Sequence, residues 1–216
     1  MRKVFKHTPA SDAENVFWIT MSDLFLGLLI VFIVLFSFFA MELTQKKIKQ
    51  QEIKYKLVEK LSSEFKKNNL KLDIDKSSGR IKISDLELFE PNKWTISPRG
   101  QAYLKKFIPI YLNTILQDPK IRDNISQIII EGHTDSQSFT STKNYNDNYI
   151  KNLDLSLKRA YETAKYIIYL DYPEKEKYKA NLIKLISVNG RSFSEPILIN
   201  NKEDLSKSRR VELKLL

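Results

Sequence analysis

The pattern of apolar and polar positions divides the chain into three parts of different character. Residues 24–41 carry no charge and are apolar on every side of a helix. As a helix this run is about 27 Å long, close to the roughly 30 Å hydrocarbon core of a bilayer. With the flanking residues, which include the interfacial aromatic Trp18, we predict a transmembrane helix over residues 17–43. Asp12 and Glu14 in the preceding segment 1–16 favour an uncleaved anchor over a signal peptide.

Residues 44–69 form a lysine-rich segment that we predict to be a helical connector. Its apolar residues recur at four-residue steps and give one stripe on a basic helix: Ile53, Leu57, Leu61 and Phe65. Strict steps of four drift around a helix, so a long two-stranded coiled coil is not expected. Two interpretations stay open, a short stalk that pairs with its copy and a solvated spacer.

From residue 70 onward the pattern changes between strand and helix periods. Apolar residues alternate with polar ones on both sides of a turn at 77–79, which predicts a β-hairpin. Ser97-Pro98 is typical of a helix start, and Asp118-Pro119 of that helix's end. Further strands are predicted at 125–131, 185–189 and 211–215, and a further helix at 155–170. This order predicts an α/β domain over residues 70–216, an α+β sandwich with one layer of helices on one sheet.

Composition and charge narrow the classes of function. The 36 Lys and Arg exceed the 26 Asp and Glu, and the formal net charge of +10 favours anionic surroundings such as lipid headgroups, an acidic polymer or nucleic acid. The lack of cysteine excludes a disulfide scaffold, a thiolate metal site and a cysteine nucleophile. The sequence contains no phosphate loop, nucleophile elbow or HExxH helix, so we expect neither an enzyme nor a bound cofactor. With only 2 histidines, a metal site is not expected.

One acidic residue, Asp23, lies inside the predicted transmembrane helix. It is about 9 Å along the helix from Phe17, at a depth where an ionised carboxylate is costly and ionisable residues usually mark ion pathways. Alternatively, Ser22 or Asp23 caps the helix at the level of the headgroups, where a carboxylate suits the helix dipole.

The stretch Phe-Trp-Ile-Thr-Met-Ser-Asp-Leu at 17–24 resembles the membrane segment of stator B subunits of ion-driven motors, a class that includes the flagellar MotB and Zorya anti-phage ZorB types. The resemblance implies that Asp23 carries the translocated ion, H⁺ or Na⁺. It also implies that two copies of the chain lie inside a ring of multi-span A subunits. The short connector favours the Zorya type over the flagellar type.

Three motifs in the C-terminal part carry a second resemblance. They read Ile-Ile-Glu-Gly-His-Thr-Asp at 129–135, Asn-Leu-Asp-Leu-Ser-Leu-Lys-Arg-Ala at 152–160 and Ser-Arg-Arg-Val-Glu at 208–212. In this order they are similar to the OmpA-like peptidoglycan-binding domain. The resemblance covers roughly residues 70–216 and implies a pocket for the peptidoglycan stem peptide. The loop at 136–151 is longer than is common in that family.

The resemblance assigns a role to each matching side chain. Asp135 and Arg159 match the pair that holds the ammonium and the carboxylate of meso-diaminopimelate, for which a fixed anion and a bidentate guanidinium are suited. Further residues match positions that shape or line the pocket: Thr134, Asn152, Leu155 and Arg210. For Arg210 an ordinary ion pair is the alternative, and for His133 packing or a hydrogen bond.

Together these features predict a B subunit of an ion-driven rotary motor, anchored to peptidoglycan and acting in Zorya-type defence. The predicted location is the inner membrane, with a single pass, a cytoplasmic N-terminus and a periplasmic domain. Lysine and arginine are nearly balanced on the two sides of the span, so the orientation rests on the destination of the domain. Anionic lipid and cell wall then account for the basic charge without nucleic acid. A flagellar stator subunit and a passive membrane-to-wall anchor are the alternatives.

Overall fold

The computed structural model of the chain describes residues 9–71, 73–137, 139, 141 and 144–216. Residues 1–8 of the predicted N-terminal segment 1–16 therefore lie outside the described residues. The chain divides into two compact units, Met1–Gln51 and Glu52–Leu216.

Helix α1, Pro9–Lys67, begins in the first unit and ends in the second. Among the described residues it is the one helix long and apolar enough to cross a membrane, judged by length and composition. Apart from the partly buried Met21, its apolar side chains between residues 16 and 43 are exposed, as a lipid-facing surface requires, and Trp18 is 66% exposed.

The second unit is built on a five-stranded sheet in the order β1-β2-β7-β3-β4. Strands β3 and β4 are parallel, and the other neighbouring pairs are antiparallel. The strands are β1 Asp73–Ile74, β2 Ile81–Ser84, β3 Ile128–His133, β4 Ile186–Gly190 and β7 Arg210–Leu215, and a separate hairpin comprises β5 Leu198–Ile199 and β6 Lys202–Glu203. The helices are α2 Asp85–Leu88, α3 Pro98–Leu116, α4 Pro119–Arg122, α5 Tyr145–Tyr169, α6 Lys175–Leu185 and α7 Leu205–Ser208.

The core forms where the apolar positions of the strands meet the helices. Alternate strand residues point to opposite faces of the sheet. The residues on one face of β2, β3 and β7 are buried with apolar residues of α3 and α5: Ile81, Ile83, Ile128, Ile130, Val211 and Leu213. The hairpin and the single helix layer agree with the predicted α/β sandwich.

The last part of α1 belongs to this core. The stripe residues Leu57, Leu61 and Phe65 are at most 5% exposed, and the rings of Phe65 and Phe107 lie 5.0 Å apart. The compact unit accordingly starts at Glu52, whereas the sequence pattern placed the start of the domain at residue 70. Burial inside the domain explains the apolar stripe of the connector, because these side chains face α3 of the same chain.

Besides the short helices α2, α4 and α7, which were not predicted, two longer helices of the second unit differ from the sequence prediction. Helix α5 starts ten residues before the predicted 155, because the Asn144 side chain accepts a hydrogen bond from the Asp147 amide and caps the helix there. Helix α6 was not predicted, since it buries only Tyr178 and Leu182 and therefore has a weak apolar pattern.

Gly132 allows α5 to approach β3 closely. A Cβ atom at this position would lie 1.9 Å from the carbonyl oxygen of Ser156 in α5. No side chain fits there, and the contact holds the middle of α5 beside the end of β3. The candidate site lies at this junction.

Candidate functional site

A cavity of about 410 Å³ lies where β3 ends and α5 begins. The structure brings together five of the six predicted pocket residues along its wall: Thr134, Asp135, Asn152, Leu155 and Arg159. The first two directly follow β3, and the other three lie on α5 at intervals of three and four residues, which places them on one helix face. Asp85 and Arg209 complete the charged part of the lining.

Arg159 is held in place from two sides. Its Nη1 lies 3.1 Å from Oδ1 of Asp85, and its Nε donates a hydrogen bond to the carbonyl oxygen of Lys93 at 3.0 Å. Phe89 packs beneath the guanidinium, 5.2 Å from its ring centre. Burial lowers the pKa of the Arg159 guanidinium, and the Asp85 carboxylate opposes this shift. The guanidinium remains a cation with a defined orientation.

Asp135 is also paired inside the protein. Nη1 of Arg209 donates a hydrogen bond to Oδ2 of Asp135, while Nε of Arg209 lies 4.0 Å from Asp85. Burial raises the pKa of the Asp85 carboxyl, and Arg159 and Arg209 counteract it. The four side chains therefore form a row of alternating charge, Arg159–Asp85–Arg209–Asp135, with no net charge.

Two neutral polar groups join the charged row. The Thr134 hydroxyl is buried, and within the described part of the chain it has no hydrogen-bond partner. The Asn152 amide donates to the backbone carbonyl of Asn148 at 3.1 Å. A cavity with fixed charges of both signs and an unpaired hydroxyl suits a small zwitterionic ligand, because both ends of the ligand meet an opposite charge.

Arg210 lies outside this cavity. Its Nε is 2.6 Å from Oε1 of Glu212, and its Nη1 and Nη2 donate to the carbonyl oxygens of Ser208 and Glu195. Period-two alternation along β7 places Arg210 and Glu212 on the face of the sheet opposite the core. The prediction that Arg210 lines the pocket is therefore wrong, and its alternative, an ordinary ion pair, is correct. The neighbouring Arg209 lines the cavity instead.

His133 lies on the same sheet face as Arg210. Its Nε2 is 3.5 Å from Oε2 of Glu131 and 3.9 Å from Oε2 of Glu212. These three side chains could together hold a metal ion by their spacing. The ammonium of Lys214 contacts Glu131 and lies 3.6 Å from Glu212, so a cation of the protein already balances both carboxylates. This arrangement does not favour a divalent ion.

Asp85 and Arg209 were missed by sequence reasoning. Arg209 precedes β7 by one residue, and the polar residues at 210, 212 and 214 indicate that Arg210 shares the sheet face of Glu212. That alternation was the available signal for choosing Arg209 as the cavity residue. Asp85 is the first residue of a four-residue helix and has no distinguishing pattern in the sequence.

Asp23 lies in the interior of α1, fourteen residues after the helix begins at Pro9. The hydroxyl of Ser22 donates to the carbonyl oxygen of Trp18 at 2.8 Å, a bond typical of a helix interior. The interpretation that Ser22 or Asp23 caps the helix is therefore wrong. The Asp23 side chain is exposed on the helix surface.

No protein-family model matches the chain. The Zorya protein ZorB of Escherichia coli (strain Crooks) is 28% identical to the chain, and the alignment covers 98% of the chain and 92% of that protein. The Zorya protein ZorB of Escherichia coli O139:H28 is 27% identical, with 97% of the chain and 84% of that protein covered. The chain is ZorB-like. The resemblance to stator B subunits is thereby confirmed.

The fold of the ZorB-like chain also has a solved counterpart. A putative MotB like protein from Desulfovibrio vulgaris matches with a TM-score of 0.51 at 18% identity, over 80% of the chain and 94% of that protein. This likeness confirms the predicted fold class.

Proposed function

We propose that the chain is the B subunit of an ion-driven rotary motor of the inner membrane and acts in Zorya-type anti-phage defence. The observation that carries this proposal is the similarity to ZorB over 98% of the chain, which includes both the apolar helix and the domain with the charged cavity.

Asp23 is the proposed ion carrier. It is an acidic side chain on the surface of an apolar helix, where an ionised carboxylate is stable only beside a partner or an ion. Each elementary charge that crosses 100 mV supplies about 2.3 kcal/mol. The neutral and ionised forms of Asp23 would prefer different contacts with a surrounding partner, and this difference supplies the two states that a rotary step requires.

The charged cavity is the proposed wall anchor. The free end of meso-diaminopimelate carries an ammonium and a carboxylate on one carbon. Asp135 offers an anion to the first group and Arg159 a guanidinium to the second, with the Thr134 hydroxyl beside them. Because the row of four charges has no net charge, a zwitterion enters it without leaving an unpaired charge. Attachment to the wall would provide the reaction torque for the motor.

The partners follow from the same proposal. Two copies of the chain would lie inside a ring of multi-span A subunits, and H⁺ or Na⁺ would pass at Asp23. The N-terminus would be cytoplasmic and the residues after the span periplasmic, because peptidoglycan lies on that side of the inner membrane.

The motor is tested by Asp23→Asn in cells challenged with phage. We expect protection to be lost while membrane insertion and wall binding are retained. Ser22→Ala, a change at the neighbouring position of the same helix, is the matched control and should retain protection. Full protection by Asp23→Asn would leave a passive membrane-to-wall anchor as the function. If the unaltered chain supports motility and gives no protection against phage, the function is that of a flagellar stator subunit.

The anchor is tested by sedimentation of the full chain with purified peptidoglycan. Arg159→Ala should remove the chain from the pellet. Arg99→Ala is the control, because Arg99 is an exposed arginine whose ion pair with Glu87 lies on the protein surface. Undiminished sedimentation of Arg159→Ala would exclude the proposed cavity as the wall-binding site.

A further inference from the structure

A second groove of about 400 Å³ borders the charged cavity. The two share Asn92, Phe139 and Leu155 in their walls, so the groove is the adjacent space for a ligand that extends beyond the cavity. The side chains that belong to the groove alone include Trp94, Ile150, Lys151 and Asp154. We call it the Trp94 groove.

Trp94 presents a fixed aromatic surface in this groove. Trp94 is 44% exposed, so close to half of its surface is available for contact. The ammonium of Lys158 lies 4.8 Å from the ring centre and is held there by Asp154, 2.7 Å away. The preceding residue, Lys93, accepts the hydrogen bond from Arg159 through its carbonyl oxygen. The segment that contains Lys93 and Trp94 therefore positions both the Arg159 guanidinium and the exposed indole.

The chemistry of the groove combines a flat apolar surface with polar edges. Trp94 and Ile150, the latter 60% exposed, provide the apolar part. Asn92 and Asp154 provide an amide and a carboxylate at the edge. A pyranose ring has the matching character, since its axial C–H bonds form an apolar face and its hydroxyl and acetamido groups form a polar rim. The positive edges of C–H bonds are attracted by the negative face of an indole.

We propose that the Trp94 groove is a subsite for an N-acetylated sugar ring of the glycan strand, next to the stem peptide in the charged cavity. This proposal rests on the proposed wall binding and extends it from the peptide to the sugar. A continuing peptide fits less well, because its backbone N–H and C=O groups require partners that an exposed indole and an isoleucine side chain do not offer.

The test compares two defined ligands on the full chain in detergent. One is the free stem tripeptide that ends in meso-diaminopimelate, and the other is the same tripeptide attached to its disaccharide. The chain has 2 tryptophans, so Trp18→Phe leaves Trp94 as the fluorescent reporter of binding. We expect the disaccharide-peptide to bind about tenfold more tightly than the free peptide, in the range of one aromatic stacking contact. Calorimetry then compares the variants.

Trp94→Ala should lower the affinity for the disaccharide-peptide about tenfold and leave the affinity for the free peptide unchanged. Trp94→Phe should restore most of the loss. Tyr161→Ala, which removes another exposed aromatic side chain of the same domain, is the matched control and should change neither affinity.

The outcomes separate this inference from the wall anchor itself. If Trp94→Ala weakens both ligands equally, or neither of them, the sugar subsite is overturned while peptide binding stands. If neither ligand binds the unaltered chain, or if Arg159→Ala binds both as well as the unaltered chain, the proposed anchor fails and the subsite fails with it.

Discussion

Arg159 and Asp85 form a buried ion pair between α5 and α2, with 3.1 Å between Nη1 and Oδ1. Both residues are at most 4% exposed. The pair joins the helix that carries Asn152 and Leu155 of the cavity wall to the short helix that follows β2. It therefore orients the guanidinium before any ligand arrives, which reduces the entropy that binding must overcome.

Asp85→Asn should weaken wall binding about tenfold and lower the free energy of unfolding by about 3 kcal/mol, because it leaves the Arg159 cation buried without its counter-ion. Sedimentation with peptidoglycan and thermal unfolding of the full chain in detergent measure the two effects. Glu87→Gln, which removes a charge exposed on the same helix, should change stability by less than about 1 kcal/mol. Wall binding of Asp85→Asn at the unaltered level would contradict the positioning role.

The adjacent arginines 209 and 210 should separate binding from stability. Arg209→Ala removes a cavity residue and should reduce wall binding. Arg210→Ala removes the closest cation from the buried Glu212 carboxylate, which keeps the more distant Lys214 and Arg80. It should lower the free energy of unfolding by about 2 kcal/mol, with a wall affinity close to normal in the molecules that remain folded. Sedimentation at a temperature well below the unfolding transition distinguishes the two effects. If Arg210→Ala lost wall binding while its free energy of unfolding stayed unchanged, Arg210 and not Arg209 would be the binding residue.

Phe65→Ala should destabilise the domain by about 4 kcal/mol, the usual range for a buried phenylalanine, and lower its Tm by roughly 10 °C. Tyr55→Ala is the control on the same helix, because Tyr55 is 72% exposed. A fragment that starts at Glu52 should fold, whereas one that starts at Leu70 should not, since it lacks the stripe that the core requires. Cooperative unfolding of the shorter fragment would show that the end of α1 is dispensable.

The chain should lose stability as the pH falls below 6.5. Burial lowers the pKa of His133 from its ordinary value of 6.5, so the unfolded chain binds this proton before the folded chain does. Above pH 6.5 the neutral His133 contributes its full stabilisation. Below pH 6.5 the free energy of unfolding decreases by up to about 1.4 kcal/mol per pH unit. Burial alone would raise the pKa of Glu131, but contacts with His133, Lys214 and Asn189 lower it to about 2, which adds a further loss below pH 4.5.

The measurement is the change in Tm between pH 7.5 and pH 5.5 for three proteins. His133→Gln should show a smaller change than the unaltered chain, whatever its stability at pH 7.5. His7→Gln alters the other histidine, which lies outside the described residues, and should keep the full change. Equal changes in all three proteins would show that His133 is not the group responsible.

Much of the site could be predicted because its residues lie in motifs that resemble those of the OmpA-like domain, and local pattern then places them on elements of the fold. The motif at 129–135 ends a strand, so Thr134 and Asp135 were expected to lie just beyond the end of that strand. Asn152, Leu155 and Arg159 share one face of a helix by their spacing. Arg210 was placed in the pocket because a motif specifies an order of residues and not the side of the strand to which each one points.

The sequence by itself determined the apolar helix that carries Asp23 and the succession of strands and helices, because these depend on composition and on periodicity along one segment. The residue types that a zwitterion requires followed from the resemblance of three motifs to the OmpA-like domain. Only the tertiary structure decided that Asp85 and Arg209 complete the row of charges, that α1 ends inside the domain core, and that the Trp94 groove borders the cavity. These relationships join segments far apart in the chain, and their distances are set by packing, such as the contact of Gly132 with Ser156, for which no local pattern provides a signal.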